Sequence, residues 1–422
     1  MIERSLQQLA AITGGTQRGT DTDIRGLCTD SRRPLPGALF VALRGENHDG
    51  HEHVDAALSA GCAAALVARG SGSYQGPVVE VEDTLTALGL IAAEWCKCSS
   101  AAVIAVTGSN GKTTVKNMLT SILGRVDKTH STDGNFNNEI GVPLTLASMP
   151  HDARYLVVEM GASQKGDIAY LCQLAKPDVG IVTNAGGAHL KGFGSIQGVA
   201  EAKGEMFSNL GADGCAVINA DDEFAHLWTS LASERRQLSF GTGEQADVRA
   251  INVSLGATSK FTLVNAASSL PITLRRSGMH DVRNAAAAAA SALALGVEHD
   301  AICAGLAEFT PPPGRLAISG KDDHWVVVDD SYNANPSSLL AGIEAVSHIR
   351  SDVWVVLGDM AELGVDSDAL HFECGLQMKR ANVRRLFTLG STRAPTGPAS
   401  FRSASRSPPA TSRRSATSRR SS

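Results

Sequence analysis

Residues 106–114, V-T-G-S-N-G-K-T-T, are the stretch on which the reading of this chain turns. An apolar run at 101–106 leads into it, and residues 115–123 read as a helix beyond it. Strand, glycine-containing loop and helix form the setting in which backbone N–H groups and a helix N-terminus hold nucleotide phosphates. Gly108, Ser109, Asn110 and Gly111 would form the cradle, Lys112 would reach the outer phosphates, and Thr113 or Thr114 would place a hydroxyl on Mg²⁺. The general pattern has a glycine five residues before Gly111, where this chain has Val106. The loop alone therefore leaves open a plainer alternative, a Gly-rich turn that starts a helix.

Outward from the loop, strands alternate with helices. Residues 155–159, 179–183 and 215–218 read as strands, and 168–175 and 199–210 as helices, which predicts a parallel α/β sheet. From 248 to 274 the pattern turns β-rich, suggesting an antiparallel patch, and the Ala-rich run 284–295 reads as a buried helix. Pro311-Pro312-Pro313-Gly314 is a breaker and a domain hinge. Past it come strands at 325–328, 353–357 and 385–389 and helices at 337–347 and 368–381. Ahead of the loop, residues 1–98 mix short strands (38–43, 64–68, 78–81) with helices (54–60, 84–96), and the N-terminus reads as a short helix. The expected division is 1–98, 99–310 and 311–390, with a tail at 391–422.

The 422 residues suit two to four domains, and 43% hydrophobic with 19% charged residues is ordinary for a globular protein. No run reaches the roughly 18 apolar residues of a membrane span, and no signal-peptide core opens the chain. The eight cysteines are scattered, with only Cys96 and Cys98 close together, and read as free thiols in a reducing cytosol. A cytoplasmic monomer is expected. The net charge of −5 conceals an asymmetry: 391–422 holds seven arginines, ten serines, four prolines and no acidic residue, so residues 1–390 carry −12. An acidic body argues against nucleic acid as a partner. The basic tail could serve as a nucleic-acid or membrane arm, but without apolar periodicity it reads rather as a disordered or non-native extension.

Several residues join the loop as candidates. Glu159 ends a strand, at the sheet edge where ligands collect, and is placed to ligate Mg²⁺ opposite Thr113. The following strand delivers T-N-A-G-G-A-H-L, with His189 at the same edge as a further metal contact. Lys203 sits on a helix, where an ordinary surface lysine is the plain alternative. Asn137 and Asn138 lie in a polar loop ahead of an apolar helix, open to substrate contact or to a simple turn. Residues 329–336, D-D-S-Y-N-A-N-P, place two carboxylates, a phenol and two amides between a strand and a helix, suited to a nucleotide or to capping the helix.

Together these stretches resemble the Mur ligases, ATP-dependent amide-forming enzymes of peptidoglycan precursor synthesis. The resemblance runs from about 30 to 390 through ordered motifs: T-D-S-R, G-E-N-H-D-G-H, T-G-S-N-G-K-T-T, F-N-N-E-I-G-V-P, V-V-E-M-G-A-S, A-H-L-K-G-F-G, E-A-K-G-E-M-F, D-D-S-Y-N-A-N-P and L-G-D-M-A-E-L-G. It implies a three-domain α/β architecture: a UDP-sugar-binding domain, a central ATP-binding domain and a C-terminal ligase domain. It implies ATP and Mg²⁺ as cofactors, with UDP-N-acetylmuramoyl-tripeptide and D-alanyl-D-alanine as substrates. By the same resemblance Thr113 and Glu159 hold one Mg²⁺, His189 contacts a second, and Lys203 is the family's carbamate lysine. His280, Asn284, Asp330, Tyr332, Asn333 and Asn335 surround the adenosine, and Arg315 approaches the γ-phosphate as the last domain closes. Lys112, Lys203, His189 and Arg315 form the catalytic set, while Ser31 and Arg32 of T-D-S-R, with Asn137 and Asn138, contact the substrate.

Asp281 and Gly187 stand where the family usually has Asn and Pro, both local departures. The tail departs more. The family continues past 389 with further α/β units, whereas this chain reads T-R-A-P-T-G-P-A-S-F-R-S, a composition change that fits a shifted reading frame. The expectation is an incomplete C-terminal domain and weak or absent ligase activity above an intact ATP site. Two alternatives stand beside an active ligase: a nucleotide-binding relative that is catalytically impaired, and another amide ligase of this fold, such as a folylpolyglutamate synthase.

Overall fold

Nine strands of the middle of the chain pair into one sheet: β1 (Ala102–Thr107), β2 (Thr129–Ser131), β3 (Tyr155–Glu159), β4 (Val179–Val182), β5 (Cys215–Asn219), β6 (Arg236–Gly241), β7 (Val248–Ser254), β8 (Ser259–Val264) and β9 (Ser269–Leu274). Their order is β9-β8-β7-β6-β5-β4-β1-β3-β2. The pairings from β2 to β7 are parallel, while β7-β8 and β8-β9 are antiparallel. The computed structural model describes residues 3–187, 190–319, 325–361 and 363–390.

Both faces of this sheet are covered, which is why its central strands are apolar throughout rather than alternating. On one face lie α1 (Lys112–Leu123), α2 (Met279–Ala294) and helix His299–Glu308, with Val115, Leu119, Ile122 and Ala285–Ala290 fully buried. The alanines of α2 let it approach the sheet and α1 closely, since they add no side chain beyond Cβ. On the other face, helices Gly141–Ser148, Asp167–Ala175, Ile196–Ser208 and Ala225–Leu231 bury Phe207 and Trp228. The chain leaves β1 toward β2 and β3 on one side and later crosses to β4 on the other. The carboxyl ends of β1, β3 and β4 thus border a crevice where the connections diverge, the usual ligand position in such sheets.

The first unit has its own sheet of Thr16–Arg18, Val78–Val81, Ala64–Ala68, Leu39–Val41 and Leu27–Cys28, backed by helix Thr84–Lys97. The last unit, past the hinge, pairs Ala317–Ser319 with Val327–Asp329 and Trp354–Leu357 with Arg385–Thr388, covered by α3 (Pro336–Ser347) and helix Ser367–Arg380. No helix among the described residues is long and apolar enough to cross a membrane. All eight cysteines are free.

Three local readings change. Glu3–Ser5 is a strand, antiparallel to Asp23–Arg25, and the first helix starts only at Leu6, where Ser5 and Gln8 form a capping box. The helix after the loop begins at Lys112 rather than at 115, directly behind Gly111, whose left-handed conformation closes the turn of the loop. The strand expected at 325–328 is Val327–Asp329. The tail, 391–422, lies outside the described residues.

Candidate functional site

The loop at the end of β1 is glycine-dependent at two points. Gly108 has φ of 147°, and a Cβ there would lie 1.8 Å from Thr183 Oγ1; Gly111 has φ of 84°, and its Cβ would lie 2.5 Å from Asn284 Oδ1. Both positions exclude a side chain, so the backbone alone lines the turn. Asn110 is fixed from below: its N–H donates to Asn184 Oδ1 (3.0 Å), and its carbonyl accepts from Thr183 Oγ1 (2.6 Å) and Asn184 Nδ2 (3.1 Å). The first N–H groups of α1 then face the loop without intrahelical partners, ready for an anion.

Above the loop opens a cavity of about 860 Å³. Its lining includes Gly108 to Thr114, Glu159, Lys203, His280, Asn284 and Arg315 from the expected set, with Asp330, Tyr332, Asn333 and Asn335 from the last unit and Asn137 and Asn138 from the loop after β2. Residues drawn from 108 to 335 in sequence therefore share one wall or the other of a single space. Ser31 and Arg32 do not line it. Arg32 is spread over Asp30 by two hydrogen bonds, at 2.8 and 2.9 Å, in the first unit. His189 lies outside the described residues.

Thr113 Oγ1 donates to Glu159 Oε2 at 2.8 Å, and Asn137 Nδ2 donates to Oε1 at 2.8 Å, so a carboxylate that is 2% exposed is held by two neighbours. Among the described residues no group of three or more His, Cys, Asp or Glu is placed to hold a metal. A hydroxyl and one buried carboxylate nonetheless fit Mg²⁺, which binds through one or two protein oxygens and takes the remainder from phosphates and water. Lys112 Nζ folds back onto the carbonyls of Gly108 (2.7 Å) and Ser109 (3.3 Å); burial lowers its pKa, and Glu159 opposes the shift. Lys203 is 2% exposed, not a surface lysine. Burial, then the nearby Lys112 charge, brings its pKa down to about 7, so a neutral, nucleophilic amine is accessible near neutral pH.

The opposite wall comes from the last unit. Asn335 caps α3 and its Nδ2 donates to Asn110 Oδ1 at 2.8 Å, while Asn110 Nδ2 donates to Ser337 Oγ at 3.0 Å. Arg315 stacks on Tyr332, its Cζ 4.1 Å from the ring centroid. Asp330 accepts from Leu316 N, and burial pushes its carboxyl pKa up.

Family models match in chain order: the Mur ligase family catalytic domain over 23–95, the Mur ligase middle domain over 106–292, and the Mur ligase glutamate ligase domain over 314–419. The UDP-N-acetylmuramoyl-tripeptide–D-alanyl-D-alanine ligase of Escherichia coli K12 is 40% identical over 392 residues, 92% of this chain and 86% of the relative. The chain belongs to the Mur ligase family. Among solved Mur ligases, MurF of Acinetobacter baumannii superposes with a TM-score of 0.90 at 34% identity, covering 96% of this chain and 90% of that one. MurF of Thermotoga maritima, solved in complex with ADP, gives 0.81 at 29% identity, covering 90% and 88%. The three-domain Mur ligase architecture is thus the architecture of this chain. The glutamate ligase match runs into the Ser/Arg-rich tail.

Residues beyond the expected set also shape this Mur ligase site. Lys116, 4% exposed, donates to the Thr132 carbonyl at 2.6 Å, and Thr132 Oγ1 accepts from Glu159 N at 2.9 Å, so a buried cation steadies the backbone of the carboxylate. Its place one turn after Lys112 and Thr113 was the available signal. Asn184, following β4 in T-N-A-G-G, was legible only as a strand end. Ser337, 227 residues from Asn110, offered no signal beyond its position in the first turn of α3.

Proposed function

We propose that this protein joins D-alanyl-D-alanine to UDP-N-acetylmuramoyl-tripeptide at the expense of ATP. The observation that carries the reading is the convergence, in one cavity, of the phosphate loop, the Thr113–Glu159 oxygen pair and buried Lys203 from the middle unit with Arg315 and Asn335 from the last. The similarity to relatives named for this reaction supports the choice over another amide ligase of the fold.

Residues 1–98 hold the UDP-sugar end, with Ser31 and Arg32 at that contact; 99–310 bind ATP; 311–390 close over it. The loop N–H groups and Lys112 grip the phosphates, while His280, Asn284 and the 330–335 loop bracket the adenosine. Thr113 and Glu159 would hold Mg²⁺, which neutralises phosphate charge, and His189 would add a second metal contact. A carboxylate oxygen of the tripeptide attacks the γ-phosphorus, giving an acyl phosphate and ADP. The dipeptide amine, having shed its ammonium proton, attacks the acyl carbon; the C–O bond breaks and inorganic phosphate leaves. Lys112 and Arg315 stabilise the negative oxygens as they form. Lys203, carbamylated by CO₂, would turn a buried cation into an anionic oxygen pair facing substrate. Asn137 and Asn138 orient the peptide carboxylate. Closure by the last unit excludes water that would otherwise hydrolyse the acyl phosphate.

Phosphate release from ATP with UDP-N-acetylmuramoyl-tripeptide, followed with and without D-alanyl-D-alanine, tests this. Dipeptide-dependent release is expected on this reading, against the weak or absent activity that the altered tail suggested; nucleotide binding without it would leave only an impaired nucleotide-binding relative.

A further inference from the structure

The hinge between the middle and last units leaves helix His299–Glu308 at Phe309, passes Pro311 to Gly314 and Arg315, and enters strand Ala317–Ser319. One side chain of the middle unit touches both of its ends. Arg276, two residues past β9, has a side chain only 5% exposed. Its Cζ lies 6.0 Å from the centroid of the Phe309 ring, and its Nη1 donates to the backbone carbonyl of Arg315 at 2.8 Å. Its Nε pairs with Asp281, whose side chain is 1% exposed. Asp281 also accepts from Asn284 Nδ2 at 3.4 Å and stands 3.5 Å from His280 Nε2, and both neighbours line the phosphate cavity.

We propose that Arg276 is a positioning residue, clasping the hinge so that Arg315 enters the cavity at a fixed angle and tying that angle, through Asp281, to the nucleotide-facing wall. A guanidinium suits the task because Nε and Nη1 donate in different directions from one rigid plane, so a carboxylate and a carbonyl are served at once. A lysine offers the charge without that fork. Buried ion pairs can often be replaced by apolar residues of similar volume with little loss of stability, so a stabilising role and a positioning role can be separated by experiment. An apolar pair, however, has no donor for the Arg315 carbonyl. That carbonyl belongs to the residue whose guanidinium stacks on Tyr332 in the opposite wall.

The inference rests on the ligase reading for its kinetic readout, so the test on the full chain carries a second readout that does not. Arg276→Lys, Arg276→Met, Asp281→Asn and the double variant Arg276→Met/Asp281→Asn are compared with the parent. The measurements are thermal midpoint, affinity for a non-hydrolysable ATP analogue with Mg²⁺, kcat, and radius of gyration at saturating analogue by small-angle scattering. Arg276→Lys is expected to keep the midpoint and the analogue affinity, to lower kcat by ~10- to 100-fold as misplacement of a remote group does, and to show a larger radius of gyration. The double variant is expected to recover the stability lost in either single apolar or neutral variant without recovering kcat. Parent kcat in Arg276→Lys, or recovery of kcat together with stability in the double variant, would overturn the proposal and leave Arg276 a packing residue. If the parent chain shows no dipeptide-dependent turnover, the ligase reading falls and scattering still decides: equal radii in parent and Arg276→Lys overturn the clasp, a larger radius in the variant supports it.

Discussion

The two walls of the cavity are built differently. The wall from the middle unit stands on a nine-stranded sheet covered on both faces, and its polar groups are fixed: Glu159 by Thr113 and Asn137, Asn110 by Thr183 and Asn184, the loop by two glycines with no room for a side chain. The wall from the last unit stands on a small core around Ile343, Leu357 and Met378, with Trp354 51% and Val356 69% exposed nearby. It meets the loop through the amide of Asn335 and the hydroxyl of Ser337. Preorganised charge on one side and a lightly tethered, hinged surface on the other suit a reaction that needs fixed phosphate ligands and a removable cover.

The strongest way to break this contrast is at the fixed wall. Lys112→Met should lower kcat by ~10²- to 10³-fold, the scale of losing one preorganised charge donor, with the fold intact by circular dichroism. A loss under tenfold would mean that phosphate charge is handled elsewhere. Gly108→Ala forces a Cβ against Thr183 Oγ1 and should destabilise the middle unit by up to about 3 kcal/mol in denaturant unfolding, with loss of nucleotide binding. An unchanged unfolding midpoint would show that the loop is not rigid there.

Lys203 gives a pH test of the same wall. In the folded chain its amine is neutral above about pH 7, whereas in the unfolded chain it keeps its proton up to its ordinary value near 10.5. Unfolding takes up a proton between those limits, so this residue makes stability climb as pH rises across that window, at up to roughly 1.4 kcal/mol per pH unit. Below pH 7 both states are charged and the folded state bears the whole burial penalty. In CO₂-free buffer Lys203→Met should therefore raise the thermal midpoint more at pH 6.5 than at pH 9, and in bicarbonate-containing buffer, where the parent lysine can be carbamylated, it should abolish turnover. A gain that does not depend on pH would contradict the buried, titrating amine. The smallest effect is expected at the cover. Asn335→Ala should cost about 1 kcal/mol as a lost helix cap, and its coupling to Asn110→Ala in a double-mutant cycle on kcat should be about 0.5–1.5 kcal/mol. Zero coupling would mean that the two walls do not meet during turnover.

Much of the fixed wall was legible in sequence because it is local. Loop, helix start and strand-end carboxylate all lie within short motifs, and their order along an alternating βα chain sets the crevice. Burial was less legible. Lys203 reads as a surface lysine from its helix alone, and only the packing of that helix against the sheet reveals a buried amine. Contacts between distant segments were least legible: Asn110 with Ser337, or Arg276 with Arg315, depend on how the hinge folds the last unit back. The first strand escapes a reading of local pattern because Glu3–Ser5 owes its conformation to pairing with Asp23–Arg25.

The proposed reaction has the two walls together carry a carboxylate through an acyl phosphate. It is tested most directly by supplying UDP-N-acetylmuramoyl-tripeptide labelled with ¹⁸O in its terminal carboxylate, along with ATP and D-alanyl-D-alanine, and reading the released phosphate by mass spectrometry. Attack of that carboxylate on the γ-phosphorus predicts one ¹⁸O in the phosphate for each amide formed. Phosphate free of ¹⁸O, with the label kept in the peptide, would mean that water takes the phosphoryl group and that the cavity hydrolyses ATP without making the bond.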